Sequence, residues 1–92
     1  MINSALAGHD DVSQWKKRLV NVSLLSSRER EVFLLLGNGS ANREIAKRLS
    51  LSERTVKAHL TRIMIKLEVE SRLQAGLVSC VYQLDARSSI PG

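Results

Sequence analysis

Seven of the 14 lysines and arginines in this chain fall within residues 41–66: Arg43, Lys47, Arg48, Arg54, Lys57, Arg62 and Lys66, against only Glu44 and Glu53. That segment carries +5, equal to the formal charge of the whole chain, while residues 1–40 sum to +1 and residues 67–92 to −1. Cations gathered in this way can neutralise a polyanion such as nucleic acid. Charge alone leaves a plainer reading open, a solvated helix surface. Other chemistry finds little material. His9, His59 and Cys80 are too few and too scattered for a zinc site. No nucleophile stands beside a base and no glycine loop is set to cradle a phosphate, so neither enzyme activity nor a cofactor is expected.

The elements that must carry these cations are helices. Ninety-two residues, 43% hydrophobic and 25% charged, make one ordinary globular domain. One proline and no β-branched alternation leave few strand signals, and the predicted class is all-α. The longest apolar run, residues 32–36, is far short of the ~20 residues of a membrane span. Together with a lone cysteine and no signal-like start, this predicts a cytoplasmic protein without a membrane partner.

Val12, Trp15, Leu19 and Val20 share one helical face, predicting a short amphipathic helix over residues 10–20, with Asp10 and Asp11 at its start and Lys16, Lys17 and Arg18 at its end. That helix docks through Trp15 and Leu19 on the domain or on a second protomer, or else is a frayed extension. Ser26 with Glu29 forms a capping box for a helix that stops at Gly37-Asn38-Gly39. A short helix over residues 42–49 presents Ile45, Ala46 and Leu49 to the core. Ser50-Leu51-Ser52 then interrupts the chain, and Ser52 caps a longer helix to about Lys66. Ser71 and Gln74 box the start of a last helix to about Leu84, and residues 85–92 read as a flexible tail.

Two helices joined by three or four residues, the second long and basic, form the helix-turn-helix pattern. On the second, Val56, Leu60, Ile63 and Leu67 must face a core. Arg54, Lys57, Ala58, Thr61 and Arg62 project from the opposite half. Small Ala58 permits close approach in a major groove, where Lys57 and Thr61 can reach base edges. Ile65 shares that face, either against a thymine methyl or as an ordinary exposed hydrophobe.

Residues 25–75 closely resemble the LuxR/NarL/FixJ-type (GerE-like) DNA-binding domain of bacterial transcription regulators. The resemblance rests on REREV (residues 28–32), NREIA (42–46), SERTVKAH (52–59) and KLEVESRLQA (66–75) in fixed order over 51 residues without a gap. It implies a four-helix domain whose third helix enters the major groove and which binds two half-sites as a dimer. By position, Lys57, Ala58 and Thr61 would face bases. Arg43, Thr55, His59, Arg62 and Lys66 would contact or lie near phosphate, and Arg54 joins this backbone set. His59, at the edge of the core face, is equally readable as a packing histidine. Arg28 and Glu29 read as fixing a helix start.

Three departures from the family pattern stand out. Ala41 replaces the usual serine, which should abolish a capping box with Glu44 and leave Ser40 as an earlier cap. Glu68 replaces the glycine that ends the long helix. Only about 24 residues precede the match, too few for the receiver or ligand-binding domain that the family carries, and the opening Met1 leans toward a stand-alone protein.

The predicted organisation is therefore an extension (residues 1–23) with a short extra helix, the helix-turn-helix domain (24–84) and the tail (85–92). The expected partner is double-stranded DNA, with RNA polymerase or a regulatory protein as further candidates. Two rivals are an interaction module that heterodimerises with full-length regulators and inhibits them, and a promoter-reading domain of a sigma factor. The last helix bears two apolar stripes. Ala75 matches the inward alanine of the family that the chain resembles, which implies that Ala75, Val78 and Tyr82 lie inside and leaves Leu73, Leu77, Cys80, Val81 and Leu84 for the homodimer contact that the resemblance favours. The competing arrangement has the 10–20 helix cover that second stripe within one chain.

Overall fold

The structure, a computed structural model, describes residues 12–88; Asp10 and Asp11 of the predicted first helix and the end of the predicted tail lie outside it. The described residues form five α-helices and one 3-10 turn, without a strand. They are α1 (Val12–Asn21), a 3-10 turn (Val22–Leu24), α2 (Ser27–Gly37), α3 (Asn42–Leu49), α4 (Glu53–Leu67) and α5 (Arg72–Ser88).

Local signals set most boundaries. Ser26 Oγ accepts from Glu29 N at 3.2 Å while Ser26 N donates to Glu29 Oε1 at 2.9 Å, the full reciprocal box. Ser52 Oγ accepts from Thr55 N at 3.0 Å and opens α4. Gly39, at φ +81°, makes the turn after α2 that a side-chain-bearing residue would resist. Two other helix ends use the left-handed region without glycine: Ser50 (φ 57°) closes α3 and Glu68 (φ 60°) closes α4. Each is followed by an inward apolar residue, Leu51 and Val69, whose N–H returns to Ala46 O and Met64 O. The cost of a left-handed non-glycine residue, about 1–2 kcal/mol, is offset there by satisfied carbonyls and buried surface.

Three expectations are corrected at caps and ends. Ala41 offers no side-chain acceptor, yet Glu44 Oε1 still accepts from Ala41 N at 3.0 Å, so half of the box survives. Ser40 does not cap α3, whose N-cap is Ala41. The last helix also runs past Leu84 to Ser88, so residues 85–88 are helical rather than tail.

The core is built where the apolar faces of all five helices meet. Val32, Phe33, Leu36, Ile45, Val56, Leu60, Ile63, Leu67, Ala75 and Val78 are buried, and Phe33 meets Tyr82 edge to face at 5.8 Å. Helices α2 and α5 come especially close. A Cβ on Gly37 would lie 2.3 Å from Ser79 Oγ, so only glycine fits. Buried Ser79 donates to Phe33 O at 2.7 Å, Gln83 Nε2 to Leu34 O at 3.1 Å and Cys80 Sγ to Gly37 O at 3.1 Å. Polar side chains of α5 thus bond carbonyls at the C-terminal end of α2, of which those of Leu34 and Gly37 are among the last four that its own ladder leaves short of donors.

Helix α1 docks on its own domain against α4 and α5, with Trp15 and Leu19 packed on the core. Only half of the face that the periodicity suggested is packed. Val12 and Val20 remain exposed, while Arg18 is only 5% exposed and its guanidinium lies 5.4 Å from the centroid of the Trp15 ring. Arg18 therefore folds inward instead of facing solvent at the helix end. Docking of α1 leaves the second stripe of α5 uncovered: Leu73 (71%), Leu77, Cys80, Val81 and Leu84 are all exposed.

Candidate nucleic-acid interface

The three-residue link Ser50-Leu51-Ser52 holds α3 against α4, and the buried row Val56, Leu60, Ile63 and Leu67 fixes how α4 is rotated. The opposite face of α4 is consequently free. Arg54, Lys57, Ala58, Thr61, Arg62 and Ile65 are all exposed on it. The structure thus brings the three expected base-facing residues, Lys57, Ala58 and Thr61, onto one open surface with cations on either side. Thr61 Oγ1 donates to Lys57 O at 3.1 Å, which commits its hydrogen to the helix backbone.

The expected phosphate residues divide by environment. Arg43 is exposed on the first turn of α3, and Arg54 and Arg62 are exposed on α4. Thr55 is half-buried; its Oγ1 accepts from Ser52 Oγ at 2.9 Å, leaving its own hydroxyl hydrogen to spare. His59 is half-buried too, with a buried Nδ1 that has no hydrogen-bond partner in the protein.

Lys66 goes elsewhere. Its ammonium lies 2.6 Å from Oε1 of Glu29, a side chain only 4% exposed. Burial pushes the Glu29 carboxyl up, but the hydrogen bond and charge of Lys66 and the Ser26 backbone N–H outweigh it and hold the group below its ordinary value. The ion pair joins the start of α2 to the end of α4, so Lys66 sits in the scaffold behind the basic face.

Two further contacts escaped sequence reasoning because they join residues far apart in the chain. Arg72, at the start of α5, donates to Ser40 O at 2.9 Å through Nη2 and to Asn42 Oδ1 through Nη1. It thereby ties α5 to the first turn of α3, next to Arg43. Lys17 of α1 pairs with Glu68 at 3.1 Å, just beyond the end of α4. Beside α5 lies an open groove of about 790 Å³ whose lining includes Leu36, Arg43, Leu73, Gly76, Leu77 and Cys80. No group of three metal-ligating side chains occurs among the described residues, and none of their helices is long and apolar enough to cross a membrane.

A three-residue turn, a packed first helix and a second helix with a free, cationic, small-residue face define a helix-turn-helix domain of the DNA-binding kind. The comparison with known families agrees. The model described as "Bacterial regulatory proteins, luxR family" matches residues 23–79, and the chain belongs to that family. Membership makes it a DNA-binding module of transcription regulation and not an enzyme. The "Uncharacterized transcriptional regulatory protein YhcZ" of Bacillus subtilis is 43% identical over 65 residues, which cover 71% of this chain and 30% of that protein. The "Response regulator protein VraR" of Staphylococcus aureus is 38% identical over 72 residues, 78% of this chain and 34% of that protein. The protein of the same name from Staphylococcus epidermidis matches to the same extent. The chain thus spans about a third of the length of these curated relatives. No solved structure gives a significant match.

Proposed function

We propose that this chain regulates transcription in the cytoplasm by binding specific duplex DNA as a homodimer, with α4 in the major groove. The observation that carries this reading is the outer face of α4, where Lys57, Ala58 and Thr61 stand exposed together between Arg54 and Arg62. Lys57 donates to guanine O6 or N7, Ala58 allows the helix to approach, and Thr61 meets a base through its methyl and lone pairs. Arg43, Arg54 and Arg62 neutralise phosphates, Thr55 donates its spare hydroxyl hydrogen to another, and His59 at the edge of the face joins them.

The exposed row on α5 supports the dimer. Five neighbouring apolar residues, Leu73, Leu77, Cys80, Val81 and Leu84, beside an open groove are more than scattered surface hydrophobes. A two-fold contact through this row sets two α4 helices about one DNA turn apart, roughly 34 Å. Retention of Lys57, Arg54 and Arg62 on α4 speaks against a module that only pairs with other regulators and inhibits them.

Selection of bound sequences from random duplex DNA tests the whole reading. The expected result is a motif present twice, with half-site centres about 10 base pairs apart. Recovery of no motif overturns DNA reading, and recovery of a single half-site overturns the dimer.

A further inference from the structure

Ile65 is the one large apolar residue on the outer face of α4, and neither phosphate neutralisation nor polar base contacts use it. It is 69% exposed, so the core does not explain it either. Its spacing from Ala58 and Thr61 is i, i+3, i+7, which places the three on one strip along the helix. Thr61 adds to the apolar character of that strip, because its hydroxyl hydrogen is spent on Lys57 O. Lys66, the next residue, cannot lend polarity to this end, since its ammonium is drawn to Glu29. The result is a row one side chain wide that offers the Ala58 Cβ, the Thr61 methyl and the Ile65 side chain.

Arg54, Lys57 and Arg62 flank this row on the same exposed half of the helix. An apolar protein groove closing over it would have to desolvate those cations without compensation. A DNA major groove imposes no such cost, for its phosphates welcome the cations and its floor carries a single kind of apolar group, the C5-methyl of thymine. The strip spans seven residues, about 10 Å at 1.5 Å per residue, or roughly three base-pair steps of 3.4 Å.

We infer that Ile65 is a specificity-determining residue that packs on a thymine methyl, extending the base-reading strip of Ala58 and Thr61 toward the C-terminal end of α4. The inference rests on the DNA-binding reading above. It predicts that each half-site contains a thymine about three base pairs from the position nearest Ala58, and that the protein detects its methyl group.

The test uses the 92-residue chain and the duplex recovered by the selection, with single thymines replaced by deoxyuridine, which removes only the methyl. One such replacement, in one half-site only, should weaken binding by the parent chain about three- to fivefold, the effect of burying one methyl-sized group. Ile65→Ala should bind the thymine and deoxyuridine duplexes equally at that position, whereas Ile65→Val should keep part of the discrimination. Circular dichroism should show both variants folded, because the side chain they shorten is exposed. A motif without thymine at that spacing, no position sensitive to deoxyuridine, or sensitivity that persists in Ile65→Ala overturns the assignment while leaving DNA binding intact. A selection that yields no motif overturns the DNA-binding reading and this inference with it.

Discussion

Replacing Lys66 with methionine separates a scaffold lysine from a phosphate lysine. The ammonium is 2.6 Å from Glu29 Oε1, and the side chains are 36% and 4% exposed. Removing one partner of a fully buried pair costs about 3–5 kcal/mol, and an exposed pair contributes less than about 1 kcal/mol. With the carboxylate buried and the lysine a third open to solvent, Lys66→Met should cost about 2 kcal/mol. For a domain of this size that lowers the melting temperature by roughly 8–16 °C. Urea denaturation across pH gives a second signature. The Glu29 carboxyl is held below the ordinary 4.5, so its stabilisation is complete above that pH and is lost as pH falls through the folded value. Lys66→Met leaves burial of Glu29 unopposed by an ammonium and shifts its titration upward, so the deficit of the variant should shrink on acidification below about pH 4.5. In DNA binding, the dependence of log affinity on log salt should keep the slope of the parent. A phosphate ligand would instead remove about 0.9 per protomer from that slope. Parent-like stability, or a slope reduced by that amount, refutes the placement of Lys66 in the scaffold.

Other substitutions address the remaining parts of the argument. Lys57→Ala should cost about 1–3 kcal/mol per half-site and relax preference at one base position in each, while Arg62→Ala should weaken all duplexes alike and lower the salt slope by about one per protomer; binding to a panel of single-base variants distinguishes them. Leu77→Glu should give a folded monomer by sedimentation, with much weaker binding to paired half-sites, and unfolding of this variant would return the α5 row to the core. Gly37→Ala drives a Cβ to 2.3 Å from Ser79 Oγ and should destabilise the chain by about 1–3 kcal/mol in thermal melts; an unchanged melting temperature would mean that α2 and α5 can separate there freely.

Much of this protein is written in its local sequence. The helices α2 and α4 begin where Ser26 and Ser52 cap them, because a cap is satisfied by an amide within three residues of it. The division of α4 into the buried row Val56, Leu60, Ile63 and Leu67 and the open face around Lys57 follows from the 3.6-residue period alone. On α5 the period yields two apolar stripes without ranking them, and the family resemblance at Ala75 points to the inner one, with Ala75 and Val78 buried and Leu73, Leu77 and Leu84 outside.

Tertiary structure decided what period and propensity cannot weigh. Whether Lys66 meets a phosphate or a carboxylate depends on Glu29, 37 residues away, and no helical repeat links the two. The face of α1 that is buried was settled by tertiary packing: Arg18 lies inward, with its guanidinium 5.4 Å from the centroid of the Trp15 ring, while Val12 and Val20 stay exposed. Likewise Ser79 is polar by type yet fully buried, since the glycine at position 37 lets α5 approach closely enough to reach the Phe33 carbonyl. Local sequence chooses the helices and their apolar faces, because those choices are made within one or two turns. The partners of the charged and polar side chains are chosen only when the helices pack, because the desolvation that makes an ion pair or a buried hydroxyl matter does not exist until then.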